Sequence, residues 1–159
     1  MFTVHQPTMF SRDLVLYDGD SPAIHIRFRI FSGGAEIGIG TTSYDATCSG
    51  WVRRIYKLER NNSVVASAEP IGFWQRTYEV RAGSSVWTLR RQSGWFETGW
   101  DLLSGDTEIG SVTRTGFFRT VTSANFHDSV DIPVQAFVVW VVNVIWQQDQ
   151  SAAVAAAAG

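Results

Sequence analysis

Ile132 to Trp146 reads IPVQAFVVWVVNVIW, and the way this stretch is buried decides the fold. Only Gln135 and Asn143 interrupt its apolar character. The run is too long for an ordinary strand, so it reads as a helix in spite of its valines. Asp131 stands where it can cap the start, and Pro133 falls in the first turn, where no intrahelical N–H bond is needed. A helix apolar nearly all round must be buried, in a bilayer or in protein. At about 1.5 Å per residue the stretch spans roughly 22 Å, whereas a bilayer core is about 30 Å thick and needs about 20 apolar residues. No basic cluster flanks it. The expectation is therefore a helix wrapped by the rest of the chain, with a membrane tail anchor as the alternative.

Upstream, the sequence supplies strands for such a wrapping. Arg76 to Arg81 and Val86 to Arg91 alternate apolar and polar residues around Ala82-Gly83-Ser84-Ser85, which is a hairpin pattern. Phe96 to Leu103 and Thr107 to Arg114 flank Ser104-Gly105-Asp106, and Trp51 to Arg60 and Val64 to Ala68 flank Asn61-Asn62-Ser63. Asp13 to Tyr17 precedes Asp18-Gly19-Asp20, and Ala23 to Phe31 follows, with Ile24, Ile26, Phe28 and Ile30 on one face and His25, Arg27, Arg29 and Phe31 on the other. Ala35 to Gly40 and Phe118 to Phe126 are shorter candidates. Together these make roughly ten to twelve short strands, and such spacing means a sandwich or a closed barrel. A closed barrel of many strands has room for a central helix. One domain over residues 1–150, with its central helix at 131–148 and an Ala-rich tail at 151–159, is the organisation this implies.

Composition narrows the function classes. The chain has 159 residues, a net charge of −2, and 13 basic residues of which Lys57 alone is Lys. A near-neutral balance argues against a general nucleic-acid partner. A preference for Arg suits planar anions such as phosphate and carboxylate. Cys48 is the single cysteine, so no internal disulfide forms and no metal site is built on it alone. Met1 to Pro7 lacks a basic stretch followed by an apolar run, so no signal peptide is read and a cytoplasmic location is expected.

Catalytic and metal motifs are not found. His5, His25 and His127 share no metal-ligand spacing, and HExxH, GxSxG and P-loop patterns are missing. His127 beside Asp128 reads as a turn residue at the helix start. Gly38-Ile39-Gly40 lacks the third glycine of a dinucleotide fingerprint and reads as a turn or bulge. Asp18-Gly19-Asp20 lacks the further ligands of a Ca²⁺ loop and reads as a hairpin tip. Cys48 reads as a partly buried, inert thiol, and no cofactor is expected.

The arginines are the polar feature with the most to say. Adjacent strand residues point to opposite faces, so Arg53-Arg54 and Arg90-Arg91 cannot each place both charges outside unless the strand is ending or bulged. Arg27 and Arg29 share a face close to His25. If Arg27, Arg29 and the Arg53-Arg54 pair gather on one side, they form an anion-binding site; solvated Arg paired with Asp and Glu is the plainer alternative. Trp95, Phe96, Phe117 and Phe118 fall at turn positions beside polar residues, where rings either insert at a membrane interface or pack at the barrel rim.

Two stretches carry a family likeness. One is the Gly- and Arg-spaced hairpin Gly105-Asp106-Thr107-Glu108-Ile109-Gly110-Ser111-Val112-Thr113-Arg114. The other is the acidic approach to the helix, Asp128-Ser129-Val130-Asp131-Ile132-Pro133-Val134-Gln135-Ala136-Phe137-Val138. With many short strands before one terminal helix, the chain resembles the tubby C-terminal-like superfamily over residues 8–150, a group that includes the LURP-one-related proteins and the phospholipid scramblases. The resemblance implies a closed antiparallel barrel of about twelve strands around a central helix. For the tubby branch it also implies phosphoinositide head-group binding through basic surface residues. That site is Lys-rich and this chain has one Lys, so those residues do not carry over, and neither a scramblase-type Ca²⁺ loop nor a palmitoylated Cys cluster is present. The expected function is a non-catalytic, monomeric binding module for anionic phospholipid head groups or another anionic ligand at the membrane surface, through Arg27, Arg29, Arg53 and Arg54. A small-molecule carrier barrel and a tail-anchored protein are the alternatives.

Overall fold

A computed structural model describes residues 1–6, 13–30, 32–72, 77–93, 98–115 and 121–159 of the chain. Twelve antiparallel strands precede one helix: β1 Phe2–His5, β2 Leu14–Asp18, β3 Ser21–Phe28, β4 Ala35–Ile39, β5 Thr42–Ser49, β6 Ile55–Arg60, β7 Ser63–Pro70, β8 Thr77–Ala82, β9 Ser85–Arg91, β10 Thr98–Ser104, β11 Thr107–Thr115, β12 Val121–Phe126 and α1 Ile132–Ala158. Each strand pairs with its neighbours in sequence, and β1 pairs with β12, so the sheet closes into an up-and-down barrel with no free edge. Closure removes the unpaired strand edges that invite aggregation.

Alternation along the strands builds the inside. Val4, Leu16, Ile24, Ile26, Ile37, Leu58, Val80, Leu89, Leu102 and Val112 point inward and are fully or almost fully buried. The helix runs through this lumen, and its residues Val134 to Trp146 are buried on every side. It lies nearest β7, β3 and β4. Ala66 and Ala68 on β7 and Ala35 on β4 point inward there, and small side chains let a helix approach a sheet closely. Larger rings fill the remaining space: Tyr56 packs edge-on against Trp140 at 5.7 Å, and Tyr78 lies 5.8 Å from Trp100. A barrel of twelve strands is too wide for side chains alone to fill, and the apolar helix supplies the missing core.

The two polar residues of the buried helix satisfy themselves locally. Gln135 Nε2 donates to Val130 O at 2.6 Å, and Asn143 Nδ2 donates to Val139 O at 2.8 Å. Asp131 occupies the N-cap position, but its side chain makes no capping bond; its backbone oxygen accepts from the N–H groups of Val134 and Gln135. The helix also continues beyond the expected 148, through the Ala-rich segment to Ala158, where it stands exposed outside the barrel. No helix among the described residues is long and apolar enough to cross a membrane.

The two mouths of the barrel differ. At one, strands are joined by two-residue turns: Gly19-Asp20, Gly40-Thr41, Asn61-Asn62, Gly83-Ser84 and Gly105-Asp106. Asn61 and Asn62 both adopt positive φ, at 51° and 61°, the signature of a turn whose twist matches the strands. Asp18-Gly19-Asp20 is thus a hairpin tip, as read from the sequence. At the other mouth more residues separate the strands, from Phe28 to Ala35, from Ser49 to Ile55 and from Pro70 to Thr77. The 50–54 loop corrects the expected strand start at Trp51, since β6 begins only at Ile55. Likewise β3 ends at Phe28, which frees Arg29 and Ile30 from the sheet.

Candidate functional site

The loop mouth, where the helix leaves the barrel, collects unusual surface. Trp51 is 99% exposed, Val52 84% and Ile30 74%, and Ile71 is exposed beside them. They belong to the β3–β4, β5–β6 and β7–β8 connections, which are neighbours around the rim. Gly50 makes the middle loop possible: its φ is 93°, and a methyl group there would collide with the carbonyl oxygen of Arg53. Arg53 Nη2 donates to Pro70 O at 3.1 Å, tying this loop to the start of the next.

The four arginines singled out from the sequence do not form one cluster. Arg27 stands exposed on the outer wall of β3, opposite Glu36 on β4. It lines a shallow groove with His25, Gly38 and Thr42. Arg29 pairs with Asp45 at 2.5 Å while both remain well exposed. Arg53 is spent on the backbone of Pro70. Arg54 faces the mouth, against the thiol of Cys48 and near Tyr56. Arg29 and Arg54 thus share one groove, and Arg27 and Arg53 lie elsewhere. The second pair splits as strand parity requires: Arg90 is exposed, and Arg91 reaches Asp149 of the emerging helix at 3.1 Å. Arg114 stacks over the ring of Trp146, 5.8 Å from its centroid.

The shared groove has a volume of about 1020 Å³ and lies between the helix tail and the β3–β4 loop. Phe28, Ile30, Val144, Val154, Ala155 and Ala158 make its apolar part, and Arg29, Arg54, Gln147 and Gln148 its polar part. Beneath it the barrel wall carries Cys48, Tyr56 and Tyr78. Burial pushes the Cys48 thiol up, and the nearby Arg54 only partly offsets this, so the protonated, unreactive form is favoured. Burial likewise raises the Tyr56 hydroxyl well above its ordinary range and holds Tyr78 up at about 12. The Gln148 amide approaches the Tyr56 hydroxyl and partly offsets the effect of burial, but neither that hydroxyl nor Gln148 Nε2 closes a well-formed hydrogen bond among the described residues.

Sequence reasoning missed Tyr56, Gln148 and the exposure of Trp51. Tyr56 turns inward on β6, but nothing local in the sequence places the helix residue Gln148 above it. Trp95, Phe96, Phe117 and Phe118, expected at the membrane interface or the rim, lie outside the described residues. His127 serves the turn before the helix, its Nδ1 3.0 Å from Ser129 Oγ. Among the described residues no three of His, Cys, Asp or Glu converge as metal ligands. No protein-family model, curated protein or solved structure matches this chain.

Proposed function

We propose that this protein is a binding module that rests on anionic membrane surfaces by its loop mouth. One observation carries the reading: Ile30, Trp51, Val52 and Ile71 stand exposed at the rim where Arg29, Arg53 and Arg54 are also found. Large apolar side chains held out to water beside Arg suit the boundary between head groups and acyl chains. Burying apolar surface gains about 25 cal/mol per Å², and a basic side chain near an anionic surface contributes about 1 kcal/mol. One ring and three aliphatic tips, with Arg29, Arg53 and Arg54 beside them, suffice for reversible binding. The likeness to the tubby C-terminal-like superfamily points to the same class of partner, and the lumen packed with a helix argues against a carrier that hides its ligand in the barrel.

Co-sedimentation with liposomes tests this. Binding to vesicles with phosphatidylserine, none to phosphatidylcholine alone, and weakening from low to physiological salt are expected. The double variant Trp51→Ser, Val52→Ser loses about tenfold in affinity, which is about 1.4 kcal/mol. No sedimentation at low salt overturns the proposal.

A further inference from the structure

At the loop mouth the Tyr56 hydroxyl and the Gln148 amide approach each other without closing a well-formed hydrogen bond. Tyr56 is fully buried and its hydroxyl has no hydrogen-bond partner among the described residues; Gln148 Nε2 is buried in the same condition. Arg54 completes the set, its charge felt by Cys48, Tyr56 and Tyr78 alike. The nearest carboxylate on the helix, Asp149, is held by Arg91 at 3.1 Å. Buried polar groups are ordinarily paired, and an unpaired one calls for an explanation. Three convergent donors, one of them a guanidinium, fit the several lone pairs of a single oxyanion.

The surroundings say what such an anion is attached to. Arg54 and Gln148 also line the groove of about 1020 Å³, whose wall is mixed: Phe28, Ile30, Val144, Val154, Ala155 and Ala158 give it an apolar strip, and Arg29, Gln147 and Ser151 are among its polar residues. Small-molecule sites occupy roughly 300–1,000 Å³, mostly apolar with a few placed polar groups. A free inorganic anion uses the seat and wastes the groove; a neutral hydrocarbon does the reverse.

We propose that Arg54, Gln148 and Tyr56 form a seat for the oxyanion head of a single-chain amphiphile, a carboxylate or a phosphate monoester, whose alkyl chain lies along the groove beside the helix tail. Gln148, half-buried on the outermost turn inside the mouth, turns its amide toward the head, and the Tyr56 hydroxyl donates from below. This goes beyond docking on a membrane, because it needs no bilayer and is saturated by one molecule.

Isothermal titration of the full chain tests it, with laurate, dodecyl phosphate, dodecanol and inorganic phosphate, all kept below micelle formation. Laurate or dodecyl phosphate binds one to one, and the stronger of the two identifies the head group. Dodecanol and inorganic phosphate each bind at least about tenfold more weakly. Arg54→Gln and Gln148→Leu lose about tenfold, and Tyr56→Phe weakens binding without lowering the melting temperature. Dodecanol binding as well as laurate, or Gln148→Leu binding as wild type does, overturns the seat. Vesicle sedimentation of Gln148→Leu separates this result from membrane docking: the variant keeps its vesicle binding, so the two readings fail independently.

Discussion

Arg53 and Arg54 are adjacent and identical, yet one braces a loop and the other faces the mouth. The difference comes from Gly50, whose positive φ turns the chain so that Arg53 meets Pro70 and Arg54 begins the inward register that Tyr56 and Leu58 continue. An L side chain at that φ is strained and would also strike Arg53. Gly50→Ala is expected to cost about 1–3 kcal/mol and to weaken vesicle binding, measured by urea denaturation and sedimentation. The tyrosines supply a second residue-scale test. The unfolded chain releases a tyrosine proton near pH 10, and the folded chain holds that of Tyr78 to about 12 because the ring is buried. Between these values the native state binds more protons, so stability is full below pH 10 and falls as pH rises. The slope is about 1.4 kcal/mol per pH unit for each tyrosine so held. Tyr78→Phe flattens this alkaline decline in the urea midpoint; an unchanged slope shows that Tyr78 is not its source.

At the scale of elements, the helix carries most of the testable energy. Trp140 is fully buried between Tyr56 and Phe137, and Trp140→Ala is expected to cost about 3–5 kcal/mol in the same assay. The Arg91–Asp149 pair is well exposed and worth little, so Asp149→Asn shifts the midpoint by less than about 1 kcal/mol. How the elements could be read from the sequence follows from their chemistry. Hairpins centred on Gly83, Gly105 and Asn61 were legible because apolar alternation and turn residues agreed. β5 was not, because Thr42, Ser43, Thr47 and Ser49 mask a face made of Tyr44, Ala46 and Cys48. β1 was too short to show a period. The helix was legible from Ile132 to Trp146, where burial demands apolar residues, and not beyond, where Ala alone sets the conformation. For the site, the residue type pointed to Arg, but no local pattern could tell which Arg the loops would leave facing the groove, nor bring Gln148 over Tyr56 across more than ninety residues of chain.

At the scale of the whole molecule, the barrel is electrically lopsided. Asp18, Asp20, Asp106, Glu108, Asp128 and Asp131 outnumber Arg60 and Arg81 at the mouth with the short turns, whereas Arg29, Arg53, Arg54, Arg91 and Arg114 outnumber Asp13, Glu69 and Asp149 at the other. With a net charge of only −2, this separation gives an axial field that turns the loop mouth toward an anionic surface at long range. Screening confines the effect to about 8 Å at physiological salt. Asp18→Asn, Asp20→Asn, Asp106→Asn together should therefore leave vesicle binding unchanged there; a change beyond about threefold would assign the acidic mouth a direct part.

The helix that fills the lumen follows all twelve strands in the chain, and this orders events during synthesis. Each hairpin emerges from the ribosome with one apolar face and nothing to lay against it. The sheet cannot be roofed until the final segment appears, and β1 must then find β12 across almost the full length of the sequence. Barrel closure and core formation are thereby coupled into one late step, slow by topology, and until it occurs the unroofed strands are open to aggregation.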